Sequence, residues 1–173
     1  MDKATIRKEL RQKRDNFDKN LLEKYDEVIY NKVISTPQFQ NAKVVMTYVS
    51  LGSEVDTFRL IRHCFDTGRK VCVPVVVKGT RMLEVSYISS FDDLERSSYE
   101  ILEPKKVVKA DLNDIDLIII PALAFDLARH RIGYGAGFYD RLLPKTRGFK
   151  MGICYDFSVV PCVYPTEHDV CAD

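Results

Sequence analysis

Asp116-Leu117-Ile118-Ile119-Ile120-Pro121 places four large apolar residues in a row between an acid and a proline. A strand with one solvated face alternates polar and apolar side chains. A run without alternation fits a strand covered on both faces, the usual state of a central strand in a parallel sheet. Upstream, Val44-Val-Met-Thr-Tyr-Val49 is a second strand-like run, followed by Gly52 and by Asp56, an acid placed to cap a helix through about Asp66 before Gly68. A third run, Lys70 to Val77, comes directly after, and apolar runs return at about 82 to 89 and 149 to 154. Residues 3 to about 15 and 18 to 35 carry apolar side chains at helical spacing, among them Leu21, Leu22, Tyr25, Val28, Ile29 and Val33, so two amphipathic helices open the chain.

This alternation of strands and helices predicts an α/β fold. The expected form is a three-layer α/β/α arrangement with a mainly parallel, Rossmann-like open sheet, and a site at the carboxyl end of its central strand. The polar stretch from Phe91 to Ala110 reads as a loop or short hairpin. A length of 173 residues with 46% apolar content fits one domain spanning 1–173.

The 26 basic and 25 acidic residues leave a net charge of +1, which gives no footprint for nucleic acid or for an anionic membrane, so any polyanion site must be local. No apolar run approaches the roughly 18 residues of a membrane span, and the charged start Met1-Asp-Lys-Ala-Thr-Ile-Arg7 is unlike a signal peptide; a cytoplasmic protein is expected. Five cysteines without a two-residue spacing read as free, mostly buried thiols, and three scattered histidines argue against a zinc site.

Beyond the central strand, Ala122-Leu-Ala-Phe-Asp126 leads to Arg129, His130 and Arg131, and then to glycines 133, 135 and 137. Glycine lets backbone N–H groups converge on a phosphate, and Tyr139-Asp-Arg-Leu-Leu143 reads as the helix that follows. Three alternating glycines also suit a tight irregular turn. The flanking arginines, the acid at the helix start and the interleaved aromatics Tyr134, Phe138 and Tyr139 favour an anionic ligand with a metal ion and a flat ring. The loop has neither dinucleotide-fingerprint spacing nor the Gly-Lys-Ser/Thr of a Walker loop.

Pro121-Ala-Leu-Ala-Phe-Asp126 followed by Arg131-Ile-Gly-Tyr-Gly-Ala-Gly-Phe-Tyr-Asp-Arg141 resembles the signature of the 5-formyltetrahydrofolate cyclo-ligases, or 5,10-methenyltetrahydrofolate synthetases. Shorter pieces agree in order: Lys3-Ala-Thr-Ile-Arg7, Tyr48-Val-Ser50 with Glu54-Val-Asp-Thr57, Ile101-Leu-Glu-Pro104 and Pro165-Thr-Glu-His-Asp169. The resemblance implies ATP and Mg²⁺ as cofactors, a ligase role in one-carbon metabolism, 5-formyltetrahydrofolate as the small-molecule partner, and a monomer or weak homodimer.

Residue by residue, the resemblance implies that Lys3, Ala4, Thr5, Ile6 and Arg7 hold ATP together with Arg131, Ile132, Gly133, Tyr134, Gly135, Ala136, Gly137, Phe138 and Tyr139. It implies that Val49, Glu54 and the loop from Tyr134 to Phe138 hold the folate. Asp140 and Asp169 are the expected Mg²⁺ ligands, and Arg131, Tyr134 and Tyr139 the catalytic groups. Taken without the resemblance, Lys3 and Arg7 read as a solvated helix face, Asp140 as a helix cap, and Glu54 as an ordinary loop or cap residue.

The implied reaction begins with attack of the N5-formyl oxygen on the γ-phosphate of ATP, giving a phosphorylated imidate; N10 then closes the ring and phosphate leaves. Such chemistry needs alignment and charge neutralisation, so no covalent nucleophile is assigned. The chain departs from the family pattern at His130, where a glycine is usual, and in lacking a glutamine across Tyr155–Val160. It ends at Asp173, where relatives continue into a last strand. Two alternatives remain at this level: a homologue that binds nucleotide or folate without turnover, and a sugar-phosphate isomerase or transferase on a similar sheet.

Overall fold

The computed structural model describes residues 3–97 and 100–173. In chain order the helices are α1 (Lys3–Asp15), α2 (Lys19–Ser35), α3 (Pro37–Asn41), α4 (Phe58–Asp66) and α5 (Phe138–Leu142). The strands are β1 (Val44–Thr47), β2 (Lys70–Val76), β3 (Leu83–Ile88), β4 (Leu94–Arg96), β5 (Leu102–Pro104), β6 (Leu117–Ile120), β7 (Ala124–Asp126), β8 (Arg131–Ile132), β9 (Phe149–Gly152) and β10 (Val159–Val160).

The main sheet runs β3-β2-β1-β6-β9 and is parallel except at the β2–β3 pair. β6 lies between β1 and β9, with Met46 opposite Ile118 and Ile118 opposite Lys150. Its four residues have no exposed surface. They divide by face: Leu117 and Ile119 pack with Leu22 and Val33 of α2, Phe39 of α3 and Leu60, Ile61 and Cys64 of α4, whereas Ile118 and Ile120 pack with Met46, Cys72, Val85, Leu142 and Leu143. The unalternating sequence is therefore a strand covered on both sides, each such side chain contributing roughly 1.5–3 kcal/mol by burial. Shortening one, as in Ile119→Ala, costs about 2–5 kcal/mol through the cavity it leaves.

The two covers differ in thickness. Three helices lie on the first face, while the second has the five-residue α5 and the turn after it. Local side-chain bonds set two helix starts, at Asp56 as expected from sequence and at Asp18, which the sequence reading does not single out. Asp18 accepts from the backbone N–H groups of Asn20 and Leu21, and Asp56 from those of Phe58 and Arg59.

Two smaller units flank the main sheet. The polar stretch after Phe91 contains the β4–β5 hairpin. A second sheet, β10-β7-β8, has strands of only two or three residues and escapes any reading by periodicity. A small apolar cluster of Ile6, Leu123, Ile132 and Val163 fastens α1 to this sheet. Cys64 and Cys72 are buried, Cys154 and Cys171 are half-buried and Cys162 is exposed, so the cysteines are free but less uniformly buried than expected. Among the described residues, no helix is long and apolar enough to cross a membrane.

Candidate active site

A cleft of about 720 Å³ opens beyond the carboxyl ends of β1 and β6. Its floor includes Tyr48, Val49 and Pro121, and one wall is the glycine loop between β8 and α5. α1 forms a second wall, and Ile101, Leu102 and Glu103 with Val76 and Leu83 form an opposite, largely apolar one.

The loop's shape depends on two glycines. Gly135 has φ +107° and Gly137, which precedes the first turn of α5, has φ +69°. Side chains rarely adopt these conformations. A Cβ on Gly135 would stand 3.6 Å from the guanidinium carbon of Arg7, so the backbone faces that cation at close range. The Arg7 Nε donates to the Gly133 carbonyl at 2.9 Å.

α1 presents four of its six cations to the cleft. Lys3, Arg7, Arg11 and Arg14 follow at intervals of four, four and three, and all four line the cleft. Ile6 points the other way into the small apolar cluster, where it meets Ile132; both expected nucleotide-binding residues use their side chains for packing. Lys3 forms an ion pair with Asp169. The two residues are each about one-fifth exposed.

Arg131 is nearly enclosed, with 4% of its side chain exposed, and its Nη2 donates to Asp140 Oδ1 at 2.6 Å. The same oxygen accepts from the Val170 N–H at 3.1 Å, which brings the segment containing Asp169 beside Asp140. Both contacts fall on Oδ1, so Oδ2 of Asp140 has no hydrogen-bond partner among the described residues. Burial alone would raise the Asp169 carboxyl, but bonds from Lys3 and the Thr166 N–H outweigh it and hold the carboxyl below its usual range.

The folate-facing acid predicted from sequence sits across the cleft. Glu54 Oε2 accepts from the Leu51 N–H at 2.8 Å, and Oε1 accepts from the Tyr134 hydroxyl at 2.6 Å. Burial, and next the nearby Glu54 charge, push the Tyr134 and Tyr139 phenols well above their ordinary range, so both remain neutral. The Tyr139 hydroxyl and Arg131 Nε are buried without a hydrogen-bond partner among the described residues. Orphaned buried donors are costly.

Every residue expected from sequence at the site, except Ala4, Thr5, Ile6 and Ile132, lines this one cleft. Sequence reading missed Arg14, Ser53 and the β4–β5 wall. The spacing of Arg11 and Arg14 after Lys3 and Arg7 was a usable signal; the family resemblance marks Ile101-Leu-Glu-Pro104 but assigns it no role at the site. Among the described residues there is no cluster of three or more His, Cys, Asp or Glu side chains suited to a metal, so Asp140 and Asp169 fit only an ion that takes its other ligands from water or phosphate.

A sequence profile described as the 5-formyltetrahydrofolate cyclo-ligase family matches residues 1–173. The mitochondrial 5-formyltetrahydrofolate cyclo-ligase of Arabidopsis thaliana is 33% identical over 160 residues, covering 83% of this chain and 56% of its own length, so the chain spans about half of that relative. The 5-formyltetrahydrofolate cyclo-ligase of Haemophilus influenzae is 28% identical over 170 residues, covering 94% of this chain and 90% of its own. The NMR structure of Aquifex aeolicus 5,10-methenyltetrahydrofolate synthetase superposes with a TM-score of 0.88 at 29% identity, covering 100% of this chain and 88% of that one.

Proposed function

Because the chain belongs to the 5-formyltetrahydrofolate cyclo-ligase family, we propose that it cyclises 5-formyltetrahydrofolate to 5,10-methenyltetrahydrofolate while converting ATP to ADP and phosphate. One observation carries the reading: a single short loop touches both halves of the cleft. Its Gly133 carbonyl is held by Arg7 at 2.9 Å, and its Tyr134 hydroxyl bonds Glu54 at 2.6 Å. A reaction that joins a triphosphate to a formyl oxygen needs its two reactants held within reach of one another, and a loop bordering both halves of one cleft can position both.

In this reading Lys3, Arg7 and Arg131 neutralise the phosphates; Arg131 Nε and the Tyr139 hydroxyl are two of four buried side-chain atoms without a hydrogen-bond partner among the described residues. Arginine suits this task because its planar fork meets phosphate oxygens bidentately. The loop between Gly133 and Gly137 offers backbone N–H groups without side chains in the way. Glu54 accepts from the donor edge of the pterin ring, and Val49 packs beside it. The formyl oxygen then attacks the γ-phosphorus, ADP departs, N10 attacks the activated carbon and loses its proton, and phosphate leaves.

Mg²⁺, when bound, would neutralise developing charge on the phosphate oxygens. Asp140, with its free Oδ2, and Asp169 are the residues that would hold it. Each is now paired with a cation that phosphate would otherwise engage, Arg131 and Lys3 respectively.

The test is direct. The protein is incubated with 5-formyltetrahydrofolate, Mg²⁺ and ATP, and absorbance of the methenyl product is followed. ATP-dependent growth of that chromophore is expected, and its complete absence overturns the reading.

A further inference from the structure

Arg14 lies at the C-terminal end of α1, is only 7% exposed, and forms no ion pair with a carboxylate among the described residues. Burying a charge without direct compensation is expensive. Compensation comes instead through two hydroxyls. Arg14 Nε donates to Ser53 Oγ at 3.0 Å, and Ser53 in turn donates to Asp15. Arg14 Nη2 donates to the Tyr134 hydroxyl at 3.1 Å, and Tyr134 in turn donates to Glu54.

The two arms hold different parts of the cleft. Ser53 precedes Glu54 in the loop after β1, and Tyr134 belongs to the glycine loop. Arg14 therefore fixes both loops to one rigid helix, with Tyr134 additionally placed beneath the Arg11 guanidinium at 5.4 Å and beside that of Arg14 at 5.8 Å. The orientation of the Tyr134 hydroxyl follows: with its oxygen accepting from a cation, its proton goes to Glu54. The charge-assisted chain Arg14, Tyr134, Glu54 holds the Glu54 side chain in place at the cleft.

We propose that Arg14 is a positioning residue for the reaction assigned above, setting the Glu54 carboxylate and the Tyr134 hydroxyl for the folate, with a smaller effect on the nucleotide through the shared glycine loop. The assignment rests on the proposed function for its ligand and on the hydrogen-bond chain for its role. A residue that merely held the fold together would affect both ligands alike.

The experiment compares Arg14→Met, Arg14→Lys and Ser53→Ala with the unaltered protein. ATP and 5-formyltetrahydrofolate affinities are measured separately by calorimetry, and amide hydrogen exchange is followed in the ligand-free protein. Expected for Arg14→Met are at least tenfold weaker folate binding, a clearly smaller loss of ATP binding, and at least fivefold faster exchange at Leu51 and in 133–137 with β6 unchanged. Arg14→Lys should recover part of the folate affinity. Ser53→Ala should show a smaller loss of the same kind, and these two variants carry the test if Arg14→Met fails to fold. Equal losses of both ligands, or unchanged exchange in the two loops, overturns the assignment. If the unaltered protein does not bind 5-formyltetrahydrofolate, the functional reading fails, and the exchange data still decide whether Arg14 orders the two loops.

Discussion

Lys3, at the start of the first helix, and Asp169, near the end of the chain, meet in an ion pair across 166 positions of sequence. The pair joins a proposed phosphate-binding cation to a proposed metal-binding acid. The bond with Lys3 helps to hold the Asp169 carboxyl below its ordinary value of 3.8 against the opposing effect of burial. A depressed folded-state value stabilises the protein above the unfolded value, and that contribution is lost as pH falls through the folded one.

Accordingly, Asp169→Asn should destabilise the protein by up to about 1 kcal/mol at pH 7, since the pair is partly screened by solvent. The difference from the unaltered protein should shrink as the pH is lowered below about 4, because the acid is then protonated in both states. Urea unfolding at the two pH values checks this; a difference that grows on acidification contradicts it.

Asp140→Ala should be more damaging, because it leaves the enclosed Arg131 guanidinium without its counter-charge. A loss of roughly 3 kcal/mol is expected, the usual size for an orphaned buried charge. Denaturant unfolding measures it, and a loss below about 1 kcal/mol would mean that Arg131 finds another partner or reaches water.

Gly135→Ala places a side chain at φ +107° and directs a Cβ toward the Arg7 guanidinium. A conformational cost of about 1–3 kcal/mol follows from the unfavourable backbone region. ATP affinity should fall at least tenfold because the methyl group occupies the space between loop and cation. Calorimetric titration with ATP decides it, unchanged affinity being the contrary result.

Glu54→Gln keeps an acceptor for Tyr134 but removes the charge. Binding of 5-formyltetrahydrofolate should weaken by one to two orders of magnitude, about 1.4 kcal/mol for each tenfold step, with ATP affinity within threefold. Equilibrium titration of each ligand separates the two halves of the cleft, and a matching loss of ATP affinity would count against a folate-side role for Glu54.

Burial pushes the thiols of Cys64 and Cys72 up to about 12 and that of Cys154 up to about 11. Cys162 is exposed. At pH 8 iodoacetamide should therefore label Cys162 well before these three, and Cys64 and Cys72 should react only as fast as the protein opens. Peptide mapping by mass spectrometry reads the order directly, and early modification of Cys72 would be incompatible with its place between the main sheet and its cover.

By itself the sequence determined what depends on neighbours along the chain. The unalternating Leu117–Ile120 run announced a doubly covered strand, helical spacing located α1 and α2, Asp56 marked the start of α4, and alternating glycines marked the loop. These signals survive in one dimension because strand pleat, helix pitch and backbone sterics are local. Only the tertiary structure decided which charges meet. Lys3 with Asp169, Arg131 with Asp140, and Arg14 with Ser53 and Tyr134 are pairings between segments whose order in sequence carries no distance information. The same limit hid β7, β8 and β10, too short to show a period of two, and the Ile101–Glu103 wall, which becomes part of the cleft only when the hairpin folds beside β2. The glycine loop was visible as a loop, but its role as the element shared between Arg7 and Glu54 arises from the packing of α1 and the β1–α4 loop on either side of it.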